Sequence, residues 1–232
     1  AILNRANAEG VGSVATYPFG RGGFEVSKLE EATAKRYLPA AELSKLKSAT
    51  ANNPQCEYAR KLFLFSYYCY GISFIDMAML TAAHIKQMED GDYIVYKRQK
   101  IKRQKGVKPI SIKITPAIRQ LIESLQAASP TVDDFLLPVV TRSGYTGERL
   151  YMHIRTRYSK YQKYLRLLAE ELGIDFHLTS YVSRHTAAMT LQRNNIPREV
   201  ISQMLGHADL ETTNVYLDSF DNGVINEAAK VL

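Results

Sequence analysis

The stretch MLGHADLETTNVYLD places His207 and Tyr216 nine residues apart, with mostly small and polar residues between them. One reading is a helix stop, a loop and a new helix. The other is a tyrosine nucleophile with a histidine beside it. A phenol has a pKa of ~10, so a tyrosine attacks only where a base or a cationic pocket activates it. Many of the fifteen tyrosines, Tyr67, Tyr68 and Tyr70 among them, lie in apolar helical runs that suit packing. Tyr216 lies in the polar run TTNVYLD.

Cations that could serve such a nucleophile lie upstream. Arg184 follows a Thr179-Ser180 helix start by one turn, so it projects near a helix N-terminus. That end carries roughly half a positive charge and free N–H groups, which suit a phosphate. A guanidinium can grip two phosphate oxygens at once and stays charged. A surface salt bridge is the alternative for Arg184. In LGH, Gly206 permits a sharp exit from a helix and puts His207 at the start of the next loop. There it can donate to a phosphate or, alternatively, meet the helix's last carbonyls.

Two basic stretches widen the positive surface. From Lys97 to Lys113 the chain has eight basic residues and no acidic one. On a hairpin, Lys97, Arg98, Lys100, Lys102, Arg103 and Lys105 would form a finger able to track a phosphate backbone, or simply a solvated tip. In HIRTRYSKYQKYLR, Arg155 and Arg157 begin a series of cations interleaved with Tyr158, Tyr161 and Tyr164. Phosphate contacts from part of that helix are expected, with the tyrosines packing inward.

The elements that must position these groups are mostly helical. Pro39 sits at the first turn before AAELSKLKS, and Pro54 opens PQCEYARKLFLFSYYCY, which Gly71 ends. Phe74 to Leu80 reads as a short apolar helix. An Asp90-Gly91 turn, the run YIVYKRQK, a basic tip and VKPISI read as a small antiparallel sheet of about three strands. Thr115-Pro116 starts a helix to about Leu125. Residues 153–172 read as a long helix, Thr179 or Ser180 caps YVSRHTAAMTLQR, and Pro197 starts the helix that Gly206 stops. Asp209 can cap a helix carrying Tyr216, and VINEAAKVL forms a last short helix. Residues 10–26 hold five of the thirteen glycines and read as linker. The assignment is mostly α with a small three-stranded antiparallel β-sheet: linker over 10–37 and one large domain over 38–232.

Composition fits this. The 232 residues suffice for one large domain, and 46% hydrophobic content is ordinary for a packed core. No apolar run reaches the ~18 residues of a membrane span. A net charge of +7 suits a polyanionic partner. Cys56 and Cys69, the only cysteines, lack metal-ligand spacing and fit free thiols in a reducing cytoplasm.

Taken in order, LTSYVSRHTAAMTLQRNNIPREVISQMLGHADLETTNVYLD from Leu178 to Asp218 resembles the second signature box of the tyrosine recombinases, the lambda-type integrases, Xer and Cre proteins. The resemblance covers about residues 38–232. The wording LTSYVSRHT and SFIDMAML is most similar to integrases of mobile elements in Bacteroides-type bacteria. It implies the DNA breaking-rejoining catalytic fold, with residues 1–9 a remnant of the last helix of a core-binding domain. It further implies that Tyr216 attacks the scissile phosphate to form a 3′-phosphotyrosyl link, that Arg184 holds the non-bridging oxygens and that His207 donates to the same phosphate. Lys100, with Lys102 as the alternative register, would protonate the leaving 5′-oxygen, and His185 would support Arg184 or the pocket. The implied partners are double-stranded DNA and a homotetramer in the synapse, with no membrane, no metal and no nucleotide cofactor. The implied location is the cytoplasm, on the nucleoid.

Two positions depart from the family pattern. The first catalytic arginine is Ser73 here, although Asp76 matches the acidic residue three places later. Tyr181 stands where a histidine or lysine usually accepts a proton, and a phenol is a poor base near neutral pH. Two readings therefore stand: an active recombinase, and a DNA-binding relative whose chemistry is lost or supplied differently.

Overall fold

Asn53 and Pro54 together start the helix around which the domain packs. The Asn53 side chain accepts the Gln55 N–H, and Pro54 occupies the first turn, where no N–H is needed. The computed structural model describes residues 2–11, 37–102 and 106–207. The chain divides into two units, Ala1–Ala34 and Lys35–Leu232. In the first lies helix α1 (Ile2–Ala8), with an exposed Arg5–Glu9 ion pair.

The second unit runs in order through α2 (Ala40–Ser48), α3 (Pro54–Tyr68), α4 (Phe74–Ala78), a 3-10 turn (Ala82–His84), β1 (Ile85–Met88), β2 (Gly91–Tyr96), β3 (Ile110–Lys113), α5 (Pro116–Ala128), α6 (Gly147–Glu171), α7 (Ser180–Arg193) and α8 (Arg198–Leu205). Helix α3 is central. Its Leu62, Phe63 and Phe65 are fully buried, and it packs on α5, α6 and α7. Helix α5 turns Ile118, Ile122 and Leu125 inward at helical spacing, and the Thr115 hydroxyl caps it by accepting the Ile118 N–H. The strands form an antiparallel sheet in the order β1-β2-β3, with Ile85 opposite Ile94 and Tyr96 opposite Ile110. One face buries Ile94, Tyr96, Ile110 and Ile112. This is the mostly helical fold with a three-stranded sheet expected from the sequence. No described helix is long and apolar enough to cross a membrane.

Several boundaries differ from expectation; α4, expected to reach Leu80, ends at Ala78. The Asp90-Gly91 turn is shifted by one residue, because β2 already begins at Gly91. Strand β2 ends at Tyr96, since Gln99 N–H is drawn to Asp76 Oδ1 (2.7 Å) and Ile101 N–H turns back on Arg98 O. Helix α6 begins at Gly147 rather than near residue 153. Thr179 precedes α7 without a side-chain cap, and Gln162 Oε1 of α6 accepts the Ser180 N–H at 2.9 Å. The expected helices around Tyr216 and the C-terminal tail lie outside the described residues, as do Arg103, Lys105 and most of the glycine-rich segment.

The chain enters this unit against α7. Leu38 is buried, and its N–H bonds Thr186 Oγ1 at 2.9 Å. The Arg193 guanidinium lies over the Tyr37 ring, 5.0 Å from its centroid.

Candidate active site

Helix α7 meets the end of α3 at van der Waals limits. Cys69 closes α3, Tyr70 takes a positive φ of 57°, and Gly71 follows at 71°. A Cβ on Gly71 would lie 2.4 Å from the Arg184 Cα, so the backbone of α7 passes where a side chain would stand. Buried hydroxyls hold the approach. Ser66 Oγ bonds both the Ile72 carbonyl and Ser183 Oγ, each at 2.8 Å. The sequence shows Gly71 as a helix stop; its second role, making room for Arg184, needs a partner 113 residues away.

Arg184 is only 4% exposed. Its Nη1 donates to Gly71 O (3.0 Å), and its Nη2 to Leu205 O (2.6 Å). The same Nη2 lies 2.7 Å from His207 Nε2. A guanidinium can only donate, so His207 Nε2 is the acceptor and the ring's proton sits on Nδ1. The end of α8 explains why His207 is there. Gly206 adopts φ 63°, with Gly206 N–H bonded to Gln203 O and His207 N–H to Ser202 O. That closing pattern turns the chain and leaves the Leu205 and Gly206 carbonyls for other donors. Arg184 takes the first. Arg98 takes the second, Nη1 to Gly206 O at 3.1 Å.

Two guanidinium groups therefore share one helix end. Burial, then repulsion from Arg98, lowers the Arg184 pKa to about 10, so it stays charged at neutral pH. Asp76 fixes the turn that carries Arg98. Its Oδ2 accepts from Ser73 Oγ at 2.6 Å, and its Oδ1 accepts from Gln99 N–H. Ser73 is the N-cap of α4, so its hydroxyl is a structural group. The acidic residue read from the sequence thus ties the Ser73 turn to the basic tip, a link that spacing alone does not reveal.

A cavity of about 400 Å³ opens beside these groups, lined in part by Ser73, Arg98, Arg155, Tyr181 and Arg184. Tyr181 is 52% exposed at its rim, its ring edge-on to His185 at 5.0 Å. Burial, then Arg184, pushes the His185 pKa down. The structure thus brings together Arg98, Arg155, Tyr181, Arg184, His185 and His207. Lys97, Lys100 and Lys102 are exposed on the tip after β2, and none of them lines this cavity. Arg157 is engaged elsewhere, donating to Val139 O at 3.2 Å and lying over the Tyr58 ring. Tyr216, Arg103 and Lys105 lie outside the described residues.

The model of the Phage integrase family matches residues 36–222. The chain belongs to this family. Among its relatives, the tyrosine recombinase XerD of Brucella abortus biovar 1 (strain 9-941) is 30% identical over 121 residues, 49% of this chain and 36% of that protein. Transposase B from transposon Tn554 of Staphylococcus aureus (strain Mu50 / ATCC 700699) is 24% identical over 196 residues, 84% of this chain and 30% of that protein. The chain thus spans about a third of the length of these two curated relatives. Of solved structures, the XerH site-specific recombinase bound to difH substrate in a pre-cleavage complex aligns with TM-score 0.56 at 18% identity. The alignment covers 87% of this chain and 55% of that one. That likeness establishes a phage integrase fold. Ser73 shares its cavity with three cations, Arg98, Arg155 and Arg184.

Proposed function

We propose that this chain is the catalytic part of a site-specific DNA recombinase encoded by a mobile element. The observation that carries the reading is the convergence of Arg184, Arg98 and His207 on the end of α8, with His207 nine residues before Tyr216. Tyr216 Oη attacks the scissile phosphorus, the P–O5′ bond breaks, and a 3′-phosphotyrosyl link forms. The phenolic proton leaves to solvent. Lys100 delivers a proton to the departing 5′-oxygen, which becomes a hydroxyl. Arg184 and Arg98 hold the non-bridging oxygens, with Arg98 doing the work of the arginine absent at Ser73. Donors aimed at the charge of the pentacovalent transition state lower its energy without metal assistance. The phosphotyrosyl link conserves the diester bond for rejoining.

On this reading the partner is double-stranded DNA, held by Lys97, Lys102, Arg103, Lys105 and Arg155, and four protomers form the synapse. Residues 1–9 end a core-binding domain, residues 10–37 link it to the catalytic domain 38–232, and the protein works on the nucleoid in the cytoplasm. The Tn554 relative supports the mobile-element role, and the DNA-bound XerH neighbour supports the duplex partner. A second reading, a DNA-binding relative without strand cleavage, draws on Ser73 being committed to Asp76.

Nicked suicide duplexes, selected from a randomised pool by the full-length protein, separate the two. A covalent adduct lost in Tyr216→Phe is the expected result. Tight binding with no adduct from the unaltered protein would refute cleavage.

A further inference from the structure

The cavity beside Arg184 has a second character that phosphate binding does not use. Tyr151, Tyr158 and Tyr181 are 59%, 37% and 52% exposed, and all three line it. Its floor is apolar, with Ile72, Phe74, Ile75 and Ile154. Exposed aromatics gathered on an apolar concavity mark a binding surface. Two of the rings are held in place. The Tyr158 hydroxyl bonds Ser180 Oγ and Gln162 Nε2, and its ring packs on Phe74 at 5.3 Å. Tyr181 rests edge-on against His185. Such rings present a face at little entropic cost.

The charge at the mouth selects the occupant. Arg98, Arg155 and Arg184 line the same cavity, and none of the described residues lining it is acidic. A ligand that satisfies both halves has an anionic end and a flat π face. A volume of about 400 Å³ lies within the range of small-ligand sites, roughly 300–1,000 Å³. We infer that this cavity seats one unstacked nucleotide of the DNA strand, its phosphate on the arginines and its base among Tyr151, Tyr158 and Tyr181. The inference rests on the reading above, in which the scissile phosphate lies at Arg184. It adds that the neighbouring base leaves the helix stack. Base–aromatic stacking tolerates any base, so this seat recognises a nucleotide without reading sequence.

The isoleucine floor supplies the test. In the full chain labelled at isoleucine δ1 methyls, the single-stranded trinucleotide d(TTT) is titrated against the same trimer with an abasic centre. The expected result is ring-current shifts at Ile72, Ile75 and Ile154 with d(TTT), and binding weaker by roughly 5- to 150-fold for the abasic trimer. Ile75→Trp, which fills the cavity, abolishes those shifts at Ile72 and Ile154 while duplex binding persists. Equal affinity and equal shifts from both trimers would overturn the base seat. So would silence of all three methyls while duplex DNA still forms the Tyr216 adduct, an outcome that leaves strand cleavage standing. Methyl shifts with d(TTT) but no adduct would instead uphold the seat and remove the cleavage reading.

Discussion

Arg98 and Arg184 close on consecutive carbonyls, Gly206 and Leu205, at the end of one helix. Each carbonyl is the kind of acceptor that a phosphate oxygen can replace, and the two guanidinium groups reach the site from different segments. If Arg98 serves as the second phosphate donor, Arg98→Ala lowers the rate of covalent adduct formation by ~10²–10³, the usual cost of one such donor. Arg98→Lys recovers part of it, as a point charge without the fork geometry. Single-turnover adduct formation at saturating protein measures this, and a rate within threefold of the unaltered protein would remove Arg98 from the reaction.

The Arg184–His207 contact predicts a tautomer change. In the free protein Nε2 accepts from Arg184, so Nδ1 carries the proton. To donate to a phosphate through Nε2, the atom that faces Arg184, the ring must carry a proton there. Nitrogen-15 imidazole spectra are expected to show His207 Nδ1–H alone without DNA, and a protonated Nε2 with DNA plus vanadate. Nε2 already protonated in the free protein would contradict this geometry.

Gly71 is expected to be intolerant. An alanine there meets the Arg184 backbone at 2.4 Å and must also hold φ at 71°. Overpacking alone costs about 1–3 kcal/mol, and the left-handed backbone adds ~1–2 kcal/mol. Urea denaturation of Gly71→Ala should show a loss of at least ~2 kcal/mol. A loss under ~0.5 kcal/mol, the range of neutral surface changes, would mean that α7 does not approach this closely.

Two histidines set a pH dependence of stability. His153 accepts the Thr141 N–H, and burial, then Arg157, holds its pKa below the ordinary 6.5. Burial, then Arg184, does the same to His185. A histidine with a depressed folded pKa binds fewer protons folded than unfolded, so acid favours unfolding. Stability should be flat above about pH 7, fall as pH drops through 6.5, and level off below the folded values. Denaturation midpoints from about pH 7.5 to pH 5 test the sign. The combined His153→Gln and His185→Asn substitutions should flatten the curve, and an unchanged slope in that variant would assign the effect elsewhere.

Much of the helical frame was legible because its signals are local. Pro54 and Thr115-Pro116 start their helices where read, and Gly206 turns its helix at the position read. The hairpin came from the Asp90-Gly91 turn and the runs YIVYKRQK and VKPISI on either side of a basic tip, which also depend only on neighbours. Arg184 and His207, which the resemblance assigned to one phosphate, lie 2.7 Å apart in the structure. Long-range partners were not legible. Asp76 reaches Gln99, Ser66 reaches Ser183, and Arg98 reaches Gly206 across 23, 117 and 108 positions. Nor was the acceptor legible that Gln162 supplies to the Ser180 N–H from another helix. Arg155 and Arg157 looked equivalent in the sequence, yet only Arg155 lines the cavity, while Arg157 turns to Val139 and Tyr58.

Asp76 also defines what can be exchanged between relatives. One oxygen receives the Ser73 hydroxyl and the other the Gln99 amide, so the turn at 71–76 and the tip at 97–100 form a single structural block. A hairpin transplanted without its own carboxylate would arrive with the amide behind Lys100 unmatched. Chimeras whose upstream segment lacks a carboxylate at position 76 should keep their helices and lose the alignment of Arg98.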